Sequence, residues 1–297
     1  MRLVTFEVDS RVLLGSVTGN EVTCLTERVS GLPKSMLLLI DAWKDFSEPV
    51  SAAKGCDFML KEVALRAPIP RPGKIFGIGL NYADHAAEAG LEIPKNQFWF
   101  SKPPSSVSGP FDPIERPAVS QALDYEAELV FVVGKRCKHV ALADAYSAIF
   151  GYCAGNDVSV RDWQRQTTQV TIGKSFDTHA PFGPWIVTSD ELDPRNLGIR
   201  CYVNGEKRQD SNTRHLIFDC AAQLSHLSQA MTLEPGDLVY TGTPSGVAAV
   251  MKPPKWLVPG DRVRVEIDGI GMLENEVMDE KPMKFTPDGG WQPKARG

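Results

Sequence analysis

The chain has 297 residues, 42% hydrophobic and 23% charged, which is the composition of a folded globular protein with a substantial core. Its net charge of −5, without a concentrated basic block, argues against a nucleic-acid partner, and no stretch approaches the roughly 18 apolar residues that cross a bilayer. An N-terminus without a signal-peptide layout and six scattered cysteines without a close pair favour a cytoplasmic protein with reduced thiols.

Residues 1–66 are predicted to form a small N-terminal α+β domain. Three short segments alternate apolar and polar residues, which is typical of half-buried strands, and a helical pattern follows them. The predicted strands are Arg2–Val8, Arg11–Val17 and Glu21–Leu25, and the predicted helix is Lys34–Phe46. Three prolines between Ala67 and Gly73 then restrict the backbone and mark a boundary.

Residues 67–278 are predicted to form the main domain, and residues 279–297 a polar tail rich in proline and glycine. Short β-rich segments dominate the main domain, and Asn204-Gly205 between strand-like residues indicates a tight hairpin. The predicted helices are Asp84–Ala89, Leu142–Phe150, Val158–Gln164 and Ile217–Gln229. Many short strands with few crossover helices favour a β-rich α+β fold, built as a distorted β-roll or barrel.

Two glutamates stand at the entrance of a predicted buried strand. Glu126 and Glu128 precede the apolar run Leu129–Val133, and alternation along a strand points both side chains to the same side. Two such carboxylates repel each other unless a hard cation or a basic side chain compensates them. The spacing therefore indicates a metal site, while a solvated strand edge or separate pairs with Lys or Arg remain alternatives.

A third carboxylate follows in the segment Gly155–Ser159. Asp157 stands at a strand-to-helix corner, where an Asp also serves as a turn or helix-capping residue. With the two glutamates it would make an oxygen-rich site suited to Mg²⁺, Mn²⁺ or Ca²⁺. Zinc is disfavoured because the sequence has no cysteine pair and no histidine cluster.

A candidate general base lies upstream of the carboxylates. His85 and Glu88 are three residues apart, so in a helix they share a face and the carboxylate can orient the imidazole. The alternative is a surface histidine on an alanine-rich turn. Two further segments offer substrate contacts: Lys174 could stabilise developing negative charge, and the turn that contains Thr243 could receive a carboxylate or serve only as a turn.

Six segments resemble the fumarylacetoacetate hydrolase family and follow the same order along the chain: GLNYADH, FSKPPSSVSGP, DYEAEL, GYCAGNDVSVRDWQ, GKSFDTHAPFGPW and EPGDLVYTGTPSGV. The resemblance covers roughly residues 70 to 278. It implies a β-rich roll, usually a homodimer, with a Mg²⁺ or Mn²⁺ site held by Glu126, Glu128 and Asp157.

The resemblance also implies roles for residues outside the metal site. His85 and Glu88 match the catalytic dyad of the acylpyruvate-cleaving members, which lies on a lid that orders when ligand binds. Lys174 matches the active-site lysine, Gln164 a substrate-contacting glutamine, and Thr243 the threonine that receives the substrate carboxylate.

We therefore expect a metal-dependent hydrolase that cleaves a C–C bond in a small 2,4-dioxo acid. In this interpretation water activated by His85 attacks the distal carbonyl, and the leaving enolate is stabilised by the metal and Lys174. At the same site, proton transfer alone would give an isomerase or tautomerase, and loss of a carboxylate would give an oxaloacetate decarboxylase. A metal-binding member without catalytic activity is the alternative of another class.

Overall fold

A large mixed β-sheet forms the framework of the protein. The computed structural model describes residues 1–88, 90 and 92–281 in full, and residues 283–286 and 290–293 by their backbone alone. Within this part of the chain, twelve strands belong to the large sheet. In chain order they are β1 (Arg2–Val8), β2 (Arg11–Thr18), β3 (Glu21–Cys24), β4 (Phe58–Met59), β5 (Ala64–Leu65), β6 (Ile75–Gly79), β7 (Phe98–Lys102), β8 (Val107–Ser108), β11 (Ala127–Val133), β12 (Ile149–Asn156), β14 (Ala180–Thr188) and β17 (Leu238–Tyr240).

The remaining described strands form three smaller sheets. Their bounds are β9 (Ile114–Arg116), β10 (Leu123–Asp124), β13 (Ser159–Val160), β15 (Gly198–Val203), β16 (Glu206–Asn212), β18 (Arg262–Ile267), β19 (Gly271–Asp279), β20 (Met283–Thr286) and β21 (Gly290–Pro293). Five of them pair in the order β16-β15-β18-β19-β9, and β10 pairs with β13 and β20 with β21. The predicted β-rich α+β class is confirmed, and the described strands form open sheets, not a closed barrel.

The N-terminal strands extend the main sheet. β1 pairs with β2 from Leu3 to Val8 and, on its other edge, with β14 through Arg2 opposite Val187 and Leu3 opposite Ile186. The four residues from Leu3 to Phe6 are all buried, so this part of β1 is covered on both faces. One hydrogen-bonded sheet therefore contains strands from both sides of the boundary that was predicted at residue 66.

The centre of the main sheet is apolar on both faces. Every residue of β11 and β12 is buried, and the two strands pair antiparallel from Ala127 opposite Asn156 to Val133 opposite Ile149. This register places the start of β11 beside the end of β12. The residues that flank these two ends, near 126 and 157, are therefore brought together by the sheet.

The hairpin between β15 and β16 was predicted from its turn residues. Asn204 and Gly205 both have positive φ angles, of 53° and 82°, and Val203 pairs with Glu206. Asn and Gly tolerate this left-handed conformation, which a two-residue hairpin of this kind requires.

The helices are short, and several differ from the prediction. In chain order they are α1 (Leu25–Arg28), α2 (Met36–Asp41), α3 (Trp43–Ala52), α4 (Ala83–Glu88), α5 (Arg161–Gln164) and α6 (Cys220–Ala230). The single helix predicted over Lys34–Phe46 is wrong in its bounds, because the chain breaks at Ala42 into α2 and α3. The predicted helix Leu142–Phe150 is a 3₁₀ helix over Leu142–Ala148, and Phe150 already belongs to β12.

The helix predicted over Val158–Gln164 is also shorter than expected. Ser159 and Val160 pair with Asp124 and Leu123, so this part is a strand and only Arg161–Gln164 is helical. Buried β-branched side chains next to a free strand edge favour extended backbone over the first turn of a helix.

Candidate metal and substrate site

Three carboxylates meet where β11 begins and β12 ends. Ligand oxygens of Glu126, Glu128 and Asp157 all lie within 4.8 Å of one another, and all three side chains are buried. The backbone N–H of Asp157 donates to the carbonyl oxygen of Glu126 at 2.9 Å, and the backbone N–H of Glu126 donates to Asn156 Oδ1 at 2.9 Å. The two residues that the sequence placed on one side of a strand thus share one cluster with Asp157.

The two glutamates have opposite electrostatic environments. Burial raises the pKa of Glu128, and the neighbouring Asp157 and Glu126 raise it further, to well above its usual range. Burial also acts on Glu126, but attraction to Lys174 and Arg161 outweighs it and lowers the pKa of Glu126 to about 2. Negative charge is therefore stable on Glu126 and unfavourable on Glu128.

Two buried lysines bind the cluster. Lys174 Nζ donates to Glu126 Oε2 and to Asp157 Oδ2, at 2.7 Å in both cases. Lys102 Nζ donates to Asp157 Oδ1 at 2.5 Å. Burial favours the neutral form of both lysines. In Lys102 burial prevails and the pKa is lowered. In Lys174 burial is outweighed by attraction to Asp157 and Glu126, and the pKa is raised. Lys174 is therefore the more firmly protonated of the two.

A buried arginine bridges the cluster to a fourth carboxylate. Arg161 Nε donates to Asp124 Oδ2 at 2.8 Å. Arg161 Nη2 forms an ion pair with Glu126 Oε1 at 2.7 Å, but its N–H groups are not aligned for a hydrogen bond. Asp124 also accepts from the backbone N–H groups of Ala248 and Ala249, at 2.8 and 3.0 Å. Asp124 thereby fixes the guanidinium beside Glu126.

Lys102 and Arg161 were not singled out from the sequence. Both belong to segments that carried the family resemblance, but their partners are distant in sequence, since Lys102 is 55 residues from Asp157 and Arg161 is 37 residues from Asp124. The only signal was a basic residue within an otherwise matching segment.

The charges of this site leave room for a cation. The four carboxylates face three basic side chains in the described part of the chain, and Glu128 forms no ion pair there. Glu128 Oε2 instead accepts from the backbone N–H of Gly242 at 2.7 Å. Three convergent carboxylates, one of them destabilised by its neighbours, fit a hard divalent cation, which prefers oxygen ligands and would relieve the repulsion on Glu128.

His85 and Glu88 lie on the same face of α4. His85 Nδ1 is 3.6 Å from Glu88 Oε2, too far for a hydrogen bond, and this nitrogen is buried without a hydrogen-bond partner among the described residues. The Glu88 carboxylate accepts from the backbone N–H of Gly246, at 2.9 and 3.1 Å. Ala89 and Leu91, which follow α4 on the lid that the family resemblance implies, lie outside the described residues.

A second acidic residue of α4 anchors the helix to the same turn. Asp84 Oδ2 accepts from Ser245 Oγ at 3.2 Å and from Ser211 Oγ at 3.3 Å. The segment from Gly242 to Ala249 is called here the anchoring loop. It contacts Asp84 and Glu88 on helix α4, which carries His85, and Asp124, which pairs with Arg161. Its first residue, Gly242, also contacts a carboxylate of the candidate metal site, as described above for Glu128.

Gln164 and Thr243 both face the site, and both side chains are already hydrogen-bonded to other residues of the protein. Gln164 Oε1 accepts from Arg161 Nη1 at 3.0 Å. The Thr243 hydroxyl donates to the carbonyl oxygen of Ala127 at 2.9 Å and accepts from Gln209 Nε2 at 2.8 Å. The hydroxyl proton of Thr243 is therefore engaged in a hydrogen bond within the protein. The buried side chain of Gln209, which was not predicted from the sequence, fixes the orientation of this hydroxyl.

A cleft of about 260 Å³ opens onto these residues. His85, Glu126, Arg161, Gln164, Lys174 and Thr243 all line it, so the structure brings most of the predicted site residues to one surface. A larger cleft of about 910 Å³, lined by residues such as Phe111 and Trp185, contains none of them. We place the candidate site in the smaller cleft because the ionisable groups converge there.

Among the described residues, no helix has both the length and the apolar character that crossing a bilayer requires.

Comparison with known proteins identifies relatives over almost the whole chain. Residues 74–278 match the family model described as fumarylacetoacetate (FAA) hydrolase, C-terminal. The mitochondrial oxaloacetate tautomerase Fahd2a of Rattus norvegicus is 40% identical over 287 residues, which cover 94% of this chain and 92% of the relative.

Two solved structures are similar in both sequence and shape. Fumarylacetoacetate hydrolase from Exiguobacterium antarcticum is 39% identical, with a TM-score of 0.84, over 94% of this chain and 100% of that one. Maleylpyruvate hydrolase from Sphingobium sp. SYK-6, solved with manganese(II) and pyruvate, is 35% identical, with a TM-score of 0.80, over 94% of this chain and 99% of that one.

Proposed function

Because the chain belongs to the fumarylacetoacetate hydrolase family, we propose that it is a divalent-metal enzyme that interconverts the enol and keto forms of a small 2-oxo dicarboxylic acid such as oxaloacetate. The observation that carries this proposal is the 40% identity to an oxaloacetate tautomerase over nearly the full length of both chains. The reaction needs a proton carrier beside a polarised ketone, and the cleft joins His85 to a cluster of buried carboxylates and cations.

Glu126, Glu128 and Asp157 would hold the metal, with Mg²⁺ and Mn²⁺ as the candidate ions. The neighbour solved with manganese and pyruvate supports this assignment, as does the repulsion that raises the pKa of Glu128. When bound, such an ion supplies Lewis acidity that polarises a ketone oxygen.

The side chains of this protein would handle the proton and the charge. His85 takes the proton from the carbon next to the ketone, and its position near Glu88 favours the imidazolium that forms. Negative charge then develops on the ketone oxygen, where protonated Lys174 stabilises it until His85 returns its proton to that oxygen. Gln164 and Thr243 would orient the substrate.

C–C bond hydrolysis, which we expected first from the sequence, is the second candidate. Its support is the similarity to maleylpyruvate hydrolase. The same His85 would then take a proton from water as it attacks a carbonyl carbon, and Lys174 would stabilise the departing enolate. Tautomerisation requires fewer groups, since it needs no site for an attacking water.

The test follows the ultraviolet absorbance of enol-oxaloacetate as it converts to the keto form. We expect the protein to accelerate this decay with Mg²⁺ or Mn²⁺ and to lose the effect after chelation. A parallel panel of acylpyruvates and oxaloacetate is monitored for pyruvate and CO₂ release. Rapid pyruvate release from acylpyruvates with no effect on the enol would replace the tautomerase proposal by the hydrolase one, and no effect of any kind would favour a non-catalytic member.

A homodimer and a small 2-oxo acid ligand remain the expected partners. Sedimentation of the purified protein would test the first, and calorimetry with oxalate in the presence of Mn²⁺ would test the second.

A further inference from the structure

The cleft is lined by both charged and apolar residues. The buried residues Arg161, Lys174 and Glu126 line what is called here its inner end, where they form ion pairs with one another. Apolar residues form most of the remaining lining, among them Ile78, Phe98, Phe100, Val170 and Val250. One further basic residue, Arg165, lines the cleft at an exposed position.

Arg165 differs from the other two cations in having no carboxylate partner. Arg161 is paired with Asp124, and Lys174 with Glu126, in both cases at less than 3 Å. Arg165 is exposed, and no described Asp or Glu lies within 4.0 Å of its guanidinium. Glu126 is the one acidic side chain among the described residues that line the cleft, and it is already bound at the inner end.

The backbone fixes Arg165 relative to the inner end. Arg165 follows α5 directly, and its backbone N–H donates to the carbonyl oxygen of Arg161 at 3.1 Å. Two arginines four residues apart on a helical turn repel each other unless anions neutralise them. Asp124 and Glu126 neutralise the charge of Arg161. An anion bound next to Arg165 would neutralise the second charge in the same way.

We infer that Arg165 binds the distal carboxylate of the substrate and thereby selects 2-oxo dicarboxylic acids over 2-oxo monocarboxylic acids. The inference rests on the proposed function, which places the 2-oxo acid end of the substrate at the inner end of the cleft. A guanidinium on an otherwise apolar wall binds a carboxylate with two parallel hydrogen bonds and offers nothing comparable to a methyl group.

The experiment compares two ligands with the same carbon chain, 2-oxoglutarate and 2-oxopentanoate, by calorimetry on the Mn²⁺-loaded protein. In the parent protein 2-oxoglutarate should bind about tenfold more tightly. Arg165→Met should remove this preference and leave the affinity for 2-oxopentanoate unchanged, whereas Arg165→Lys should keep part of it. Arg71→Met is the matched control, because Arg71 is also exposed but lies outside the cleft.

Two results would overturn the inference. One is an undiminished preference for 2-oxoglutarate in Arg165→Met. The other is an equal loss of affinity for both ligands, which would mean that the substitution damages the whole cleft. Because the readout is binding, it separates the two proposals: a protein that shows the Arg165-dependent preference but no enol conversion refutes the tautomerase and keeps the role of Arg165.

Discussion

Glu88 lies between His85 and the anchoring loop. Its Oε2 atom is 3.6 Å from His85 Nδ1, and the same carboxylate accepts two contacts from the backbone N–H of Gly246. The loop therefore fixes the carboxylate, and the carboxylate in turn sets the electrostatic environment of the imidazole. This arrangement predicts separable effects for the two side chains.

His85→Ala should lower kcat for enol conversion by about 100- to 10,000-fold, because it removes the proposed proton carrier. Mn²⁺ affinity, measured by calorimetry, should stay within about twofold of the parent, since His85 is not a proposed ligand. His226→Ala is the control, because His226 is exposed and outside the cleft. Parental kcat in His85→Ala would exclude His85 as the base.

Glu88→Gln should lower kcat less than His85→Ala does, by about 10- to 100-fold. The amide keeps the shape of the side chain but loses the negative charge near His85 Nδ1, which would stabilise the imidazole ring while it carries the proton. Glu92→Gln, at an exposed position outside the cleft, serves as control. A parental kcat in Glu88→Gln would leave Glu88 as a purely structural anchor.

Glu128→Gln should have opposite effects on metal affinity and on the stability of the metal-free protein. The pKa of Glu128 is raised on folding, so its contribution to stability is present below the unfolded pKa and is lost as the pH rises through the folded pKa. The neutral amide avoids this loss, and the Tm of the metal-free variant at pH 8 should exceed that of the parent. Mn²⁺ affinity should fall at least about tenfold, because one charged ligand is gone. A variant with a lower Tm at every pH would contradict the repulsion argument.

Glu126 should stabilise the folded protein at neutral pH and lose this effect in acid, which is the opposite of Glu128. Its folded pKa of about 2 lies below the unfolded value, so its contribution is present above the unfolded pKa and is lost as the pH falls toward 2. Glu126→Gln should therefore reduce the free energy of unfolding at pH 7 and flatten its decline in acid. Chemical denaturation from pH 7 down to pH 3 would measure this, and an unaltered acid limb would count against the assigned pKa.

Gly246→Ala should destabilise the anchoring loop strongly. Gly246 has a φ of +101°, and an added Cβ would lie 2.0 Å from the carbonyl oxygen of Arg208. We expect a loss of about 3 kcal/mol or more in the free energy of unfolding. Gly205→Ala provides the matched control, since Gly205 also has a positive φ, of +82°, but no heavy atom within 4 Å of the added carbon, and it should lose about 1 kcal/mol. Equal losses would show that backbone strain alone decides the outcome.

Local patterns in the sequence were enough to predict the N-terminal strands and part of the site. Alternation predicted β1 with the bounds that the structure has, and it predicted that Glu126 and Glu128 share a side. Both inferences depend only on the period of a strand, which any register of the sheet preserves.

The contacts that join distant segments could not be predicted in this way. The bonds of Lys102 to Asp157 and of Arg161 to Asp124 depend on which strands become neighbours, and the sequence does not encode that order locally. The hydrogen bonds of the Thr243 hydroxyl could not be predicted either, because its partner Gln209 lies on β16 in another sheet.

The anchoring loop restricts where this cleft can change its preference for substrates. Its backbone N–H groups bind Glu128, Glu88 and Asp124, so a shift of the loop moves a metal-site carboxylate, the helix of His85 and the partner of Arg161 together. Phe98, which also lines the cleft, belongs to β7 and makes no hydrogen bond to the carboxylate cluster in the described part of the chain. A substitution in the loop is therefore expected to disturb three parts of the site at once, whereas one at Phe98 is expected to change only the shape of the cleft.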